Sequence, residues 1–146
     1  MFVTYRPEDG AEQRWTFDPK RVRAAKAEMI EKRAGENWDA WLVALQSGSM
    51  RARRVLLWHL LTVDHLTLRW EDVPDFFAGE LLVEHSVEEL AEIRTRISKA
   101  SMSDGQREQV LIAIDSEISA AMDREGVAEP LGKVPSQSSE SATASR

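Results

Sequence analysis

The sequence contains no cysteine among its 146 residues. This absence excludes a disulfide-bonded scaffold, a zinc site built on thiolates and a cysteine nucleophile. Long hydrophobic runs are missing too: the longest, residues 55–61, is interrupted by His59 and is far shorter than the roughly 18 to 20 residues that cross a bilayer. The first residues lack the basic start and apolar core of a secretory signal. We therefore expect a soluble globular chain with no membrane association.

Signatures of catalysis and of cofactor binding are also missing. The glycines are isolated and form no phosphate-binding loop, and no serine lies in a nucleophile elbow. The histidines lack metal-binding spacing. His65 and His85 with Glu84 have the residue types of a metal site, but a structural role is the simpler interpretation. The acidic cluster at 71–75 lacks the spacing of a calcium loop. We expect no enzymatic activity, no metal and no cofactor.

Charge is unevenly distributed along the chain. The formal net charge is −6, but residues 1–70 carry +3 and residues 71–146 carry −9. An acidic balance disfavours non-specific nucleic-acid binding, which needs a basic face. A chain with two oppositely charged halves can instead bind a charged protein partner or a second copy of itself. An unevenly charged solvated surface with no partner is the simpler alternative.

The residue pattern predicts a mainly helical α+β fold. Residues 1–17 should form a β-hairpin, and residues 80–84 a short third strand that joins it. Leu66, Leu68 and Trp70 alternate with polar residues at the period of a strand. Three helices are predicted at 19–34, 37–46 and 50–63, and two more form a helical hairpin between 86 and 126, joined at SKASMS. Residues 1–126 are then a single globular domain, and the Ser- and Pro-rich residues 127–146 a disordered tail.

Apolar side chains surround nearly the whole of the helix predicted at 50–63, so this helix should be the buried centre of the fold. The helical hairpin contributes apolar stripes at helical spacing. The predicted core residues are Leu57, Trp58, Leu61, Ile93, Ile114 and Ile118.

A basic cluster lies in the first turn of this central helix, at Arg51, Arg53 and Arg54. Positive charge at a helix N-terminus opposes the helix dipole and costs a few tenths of a kcal/mol, which favours a role in recognition. Trp70 leaves the apolar block and enters an acidic turn, so partial exposure is expected. We predict that these four residues bind a protein partner. The alternative is a helix-turn-helix that contacts DNA through the arginines, with helix 37–46 as its first helix.

Four phrases of the chain follow one another in a recognisable order: WDAWLVALQSG, SMRARRVLLWHLL, LTLRWEDV and GELLVE. They contain G-x-M-R-A-x-R and L-x-x-E-D-V. Over roughly residues 36–97 the chain resembles the small tail assembly chaperones of long-tailed actinobacterial phages and prophages. The resemblance implies a non-enzymatic protein in the cytoplasm of the infected or lysogenic host. Its partners would be the helical tape measure protein and the tail-tube protein.

Two other functions are compatible with the sequence. One is a structural virion component, such as a head–tail connector or a minor capsid protein. The other is the helix-turn-helix regulator already described. Presence in purified virions would favour the structural component, whereas a DNA shift with a steep salt dependence would favour the regulator.

Overall fold

The computed structural model describes residues 1–128, which fall into two compact units. The first unit is Met1–Ser86, and the second begins at Val87. The predicted tail at 127–146 lies outside the described residues, except for its first two residues, which belong to the last helix. The single domain predicted over residues 1–126 stays a prediction.

The first unit combines a small antiparallel sheet with three α-helices. Its strands are β1 (Phe2–Tyr5), β2 (Gln13–Thr16) and β3 (Leu81–Glu84), and its helices are α1 (Ala24–Ala34), α2 (Trp38–Gln46) and α3 (Met50–Asp64). The strand order is β2-β1-β3, so Val3 of the central strand pairs with Trp15 on one side and Val83 on the other. The predicted hairpin and the third strand are both confirmed.

Helix α3 forms the centre of the core, as predicted. Seven of its residues are buried, among them Leu57, Trp58 and Leu61. Val3, Tyr5 and Leu81 of the sheet belong to the same cluster, as do Trp41 and Leu45 of α2. The sheet therefore packs its inner face on the helices, because an isolated hairpin cannot bury its apolar side chains.

Helices α2 and α3 begin directly after a capping residue, whereas α1 begins later than predicted. Asn37 and Ser49 cap α2 and α3 by accepting hydrogen bonds from the amides of Ala40 and Ala52. The first helix was predicted to begin at Pro19, but α1 begins at Ala24. Asp18 and Pro19 start a separate 3-10 turn, Pro19–Arg21, which ends because Val22 adopts an extended conformation.

The alternation of Leu66, Leu68 and Trp70 fits a strand, and this interpretation is wrong. The segment forms turns and a 3-10 helix, Trp70–Asp72, followed by a second 3-10 helix, Ala78–Glu80. Alternation over so few residues is weak evidence for a strand. The described sheet consists of β1, β2 and β3 and does not include this segment.

The second unit is the predicted helical hairpin, with α4 at Val87–Lys99 and α5 at Asp104–Ala128. Arg94 pairs with Asp115 across the two helices, with Nε and Oδ1 2.7 Å apart. Ser103 begins α5 by accepting a hydrogen bond from the amide of Gln106. Arg107 closes the connection by donating to the carbonyl of Ala100.

Three predictions for this unit need correction. Gly126 does not end α5, which continues to Ala128, because a glycine inside a helix costs only about 1 kcal/mol relative to alanine. Ile114 is buried as predicted, but Ile93 and Ile118 are only half-buried. Two helices alone cannot enclose a side chain from every direction, so much of their apolar stripe stays accessible.

Candidate functional site

An open groove lies on the surface of the first unit, between the end of α1, the start of α3 and the segment around Trp70. Its volume is about 610 Å³, within the range of roughly 300–1,000 Å³ that is usual for ligand sites. We call it the Arg–Trp groove. Its lining residues are Lys32, Arg33, Met50, Arg51, Arg54, Trp70, Asp75 and Phe76.

Two half-buried aromatic rings form the apolar part of the groove, and each is supported by a buried aromatic residue. Trp70 meets Trp58 of α3 edge to face, with ring centroids 5.8 Å apart. Phe76 meets Tyr5 of the central strand in the same way, at 6.3 Å. Edge-to-face pairs at these distances are favourable. Both rings therefore pack against buried aromatic residues, and both line the groove.

The turn that carries Trp70 is held at both ends. Arg69 forms a two-pronged ion pair with Asp72, with Nε and Oδ2 3.0 Å apart. The hydrogen bond from Arg69 lowers the pKa of Asp72 below its ordinary value. Val73, directly after the turn, is buried in the core. Trp70 thus belongs to an anchored turn rather than to a loose loop.

Two guanidinium groups lie over the Trp70 ring. The Cζ atom of Arg54 is 4.6 Å from the ring centroid and that of Arg33 is 5.2 Å from it. Arg33 is also 5.6 Å from the ring of Trp58. A cation–π contact at an exposed site contributes about 0.5–1 kcal/mol. These contacts restrict both side chains before any ligand arrives, which lowers the entropy cost of binding.

Positive charge dominates the groove. Four of its side chains are cationic and one, Asp75, is anionic. Among the side chains that the structure describes, no carboxylate lies within ion-pair distance of Lys32, Arg33, Arg51 or Arg54. Elsewhere in the described chain, Arg6, Arg14, Arg69, Arg94 and Arg107 all have acidic partners. The groove is therefore a locally basic surface on an acidic chain.

Arg51 serves the fold as well as the groove. Its Nη2 donates to the carbonyl of Arg33, in the last turn of α1, at 3.4 Å. A cation at a helix C-terminus is favourable, so its interaction with α1 offsets the cost of placing it at the start of α3. The Arg51 side chain passes close to Gly35: a Cβ atom at position 35 would lie 3.0 Å from Nη2 of Arg51. The unfavourable placement inferred from sequence thus has a structural explanation.

Arg53 is absent from the groove. Its Nη1 donates to the carbonyl of Leu81, at the start of β3, at 3.2 Å. Its Nε is buried and has no hydrogen-bond partner among the described residues. The three arginines predicted as one surface therefore divide: Arg51 and Arg54 face the groove with Trp70, whereas Arg53 links α3 to the sheet.

The groove contains residues that the sequence reasoning missed, chiefly Lys32, Arg33 and Phe76. A signal for the first two was present, since both are basic residues in the last turn of a helix that ends at Gly35. From the sequence alone, this position indicated only a favourable interaction between their charges and the C-terminus of the helix. Only the fold shows that this helix end lies beside the start of α3.

A second, smaller cavity of about 140 Å³ lies beside His59 and Trp58. Its lining includes Lys26 and Met29 of α1. Burial, with the nearby charge of Lys26, lowers the pKa of His59 below its ordinary value. His59 is half-buried and meets Phe17 edge to face at 5.9 Å, so it lies at the boundary of the core.

Within residues 1–128, no three His, Asp or Glu side chains are grouped so that they could hold a metal ion. No helix in that part of the chain is long and apolar enough to span a membrane. Comparisons with known protein families, with characterised proteins and with solved structures give no match to this chain.

Proposed function

We propose that this protein is a non-enzymatic tail assembly chaperone that binds a tape measure protein and assists assembly of the phage tail tube. The proposal rests on the resemblance over residues 36–97 together with one structural observation. That observation is the Arg–Trp groove, in which unpaired cations lie beside partly exposed apolar side chains. Such a combination suits a protein partner whose surface is both acidic and apolar.

A tape measure protein presents long apolar helical faces before the tail tube surrounds it. Contiguous exposed apolar surface promotes aggregation, so a binding protein that covers part of it keeps the chain soluble. Met50 lies in the groove and is 40% exposed. Methionine is well suited to such a contact because its flexible side chain adapts to different partners.

The test is co-expression with the tape measure protein of the same phage or prophage. The wild-type chain should raise the soluble yield of that protein and co-purify with it. The double variant Arg33→Glu with Arg54→Glu should lose both effects, because it reverses the charge of the groove. Arg53 stays unchanged, since a substitution there would disturb its contact with Leu81 and confound folding with binding.

Circular dichroism of the double variant should match that of the wild-type chain. Failure of the wild-type chain to bind or solubilise the tape measure protein would contradict the proposal. The chain should also be absent from finished particles, because a chaperone leaves after assembly. Recovery at constant stoichiometry from purified virions would instead indicate a structural component of the particle.

A further inference from the structure

We infer that the Arg–Trp groove is a carboxylate-recognition site for an acidic, amphipathic segment of a protein partner. Arg33 and Arg54 are its principal ligand-binding residues, and Trp70 holds them in place. This inference deepens the proposed function, on which the identity of the partner rests. The chemistry of the groove can nevertheless be tested without that partner.

The guanidinium groups of Arg33 and Arg54 have hydrogen-bond donors that no described residue uses. Each guanidinium carries five N–H donors in a planar fork that matches a carboxylate. Neither the Arg33 nor the Arg54 side chain donates to any side chain or backbone atom that the structure describes. Their contacts are with the faces of Trp58 and Trp70. Since no described acceptor takes these donors, they remain available to an incoming carboxylate.

The groove brings several positive charges close together. Both Cζ atoms lie within 5.2 Å of the Trp70 centroid, so they are less than about 10 Å apart, which is within one Debye length at 0.1 M salt. Lys32 and Arg51 add two more positive charges to the same groove. Mutual repulsion among these cations is relieved by anionic groups of a ligand. Charge complementarity therefore selects a ligand with several carboxylates.

The groove also offers apolar surface to a ligand. Phe76 and Met50 line it together with the cations. A small free oxyanion would pair with the cations but would leave this apolar surface exposed to water. A segment with Leu-like side chains beside its carboxylates would cover it, which gains the hydrophobic contribution as well.

Nucleic acid fits the groove less well. The first unit carries 12 basic and 14 acidic residues, so its net charge does not favour binding to a phosphate backbone. Two guanidinium groups already lie over the Trp70 ring, so that ring is not a free platform for stacking a base. An acidic peptide needs only the local positive charge.

Replacement of Asp75 should strengthen binding of an acidic ligand, whereas replacement of the arginines should weaken it. Its carboxylate lines the groove and should repel an acidic ligand. Its Oδ1 accepts a hydrogen bond from the amide of Phe76 at 3.0 Å, and an asparagine at this position keeps that acceptor. Asp75→Asn should therefore strengthen binding, an effect that damage to the fold would not produce.

The experiment measures fluorescence anisotropy of a labelled synthetic helix with Glu on one face and Leu on the other. Its control is the same peptide with Gln in place of Glu. The full chain should bind the acidic peptide at least about tenfold more tightly than the neutral one. Arg33→Gln and Arg54→Gln should each weaken binding about fivefold to tenfold, and Asp75→Asn should strengthen it about twofold to threefold.

The matched control variant is Arg21→Gln, which makes the same charge change at an exposed position outside the groove. It should alter the affinity less than about twofold, because the charge is distant and screened. Equal binding of the two peptides, or equal effects of Arg21→Gln and Arg54→Gln, would overturn the inference. So would equally tight binding of a single-stranded oligonucleotide, or displacement of the peptide by millimolar inorganic phosphate.

The outcomes separate this inference from the proposed function. Peptide binding with the expected variant pattern, but no binding of the tape measure protein, would retain the carboxylate site and contradict the proposed function. Equal solubilisation of the tape measure protein by the wild-type chain and by Arg33→Gln with Arg54→Gln would contradict the site and retain the function.

Discussion

Replacement of Trp41 by phenylalanine tests how the helices of the first unit are joined. Trp41 is 0% exposed, and its Nε1 donates to the carbonyl of Ala52 in α3 at 3.2 Å. Phenylalanine loses that hydrogen bond, which costs about 1 kcal/mol. It also leaves a void of ~40 Å³, and at ~24 cal/mol per Å³ this costs about 1 kcal/mol more, in addition to the transfer free energy of the lost ring atoms. The free energy of unfolding should therefore fall by at least about 2 kcal/mol.

The assay is urea unfolding followed by tryptophan fluorescence. All five tryptophans lie in the first unit, so this signal reports on that unit alone. With an m-value of roughly 1–3 kcal/mol/M, the midpoint should fall by about 1 M. Trp38→Phe is the matched control: Trp38 lies one turn earlier on the same helix, is half-buried, and its indole N–H makes no hydrogen bond to a described residue. Equal losses for the two variants would refute the reasoning.

Three further predictions address the core, a helix end and a histidine. Leu57→Ala should lower the free energy of unfolding by about 2–5 kcal/mol, because Leu57 is fully buried; a loss below about 1 kcal/mol in urea would show that α3 is not central. Gly35→Ala should cost about 1–2 kcal/mol in the same assay, because φ is +73° and the new Cβ crowds Arg51; an unchanged midpoint would contradict this. The pKa of His59 is lower in the folded protein than its ordinary value of 6.5. The contribution of His59 to the free energy of unfolding is therefore complete above about pH 6.5 and is lost as the pH falls. The reason is that the unfolded chain then binds a proton on this histidine more readily than the folded protein does. Thermal unfolding between pH 7.5 and 5 should therefore depend less on pH in His59→Gln, and identical profiles would show that His59 plays no part.

Local signals in the sequence were sufficient for most of the fold. Asn37 and Ser49 offer side-chain acceptors just before apolar helical stripes, and the structure uses both as caps. Asp18 offers the same signal but starts only a 3-10 turn, because Val22 takes an extended conformation. Capping chemistry thus indicates where a turn begins, whereas the length of the helix depends on the residues that follow.

The site was less predictable because its residues come from separate parts of the chain. Neighbours in sequence point in different directions: Arg53 contacts the carbonyl of Leu81, whereas the guanidinium of Arg54 lies over the Trp70 ring. Conversely, Arg33 and Arg54 are 21 positions apart and lie over one ring. Helical geometry separates adjacent side chains by about 100°, so a basic run on a helix need not form one surface.

Photo-crosslinking in cells tests the central claim, that this protein binds its partner through the Arg–Trp groove. A photoreactive amino acid replaces either Met50, which lines the groove, or Val43, which is 68% exposed on α2 outside it. The tape measure protein is expressed alongside. Irradiation should join the tape measure protein to the chain substituted at position 50, and not to the chain substituted at position 43. No crosslink at position 50, or equal crosslinking at both positions, would contradict the claim.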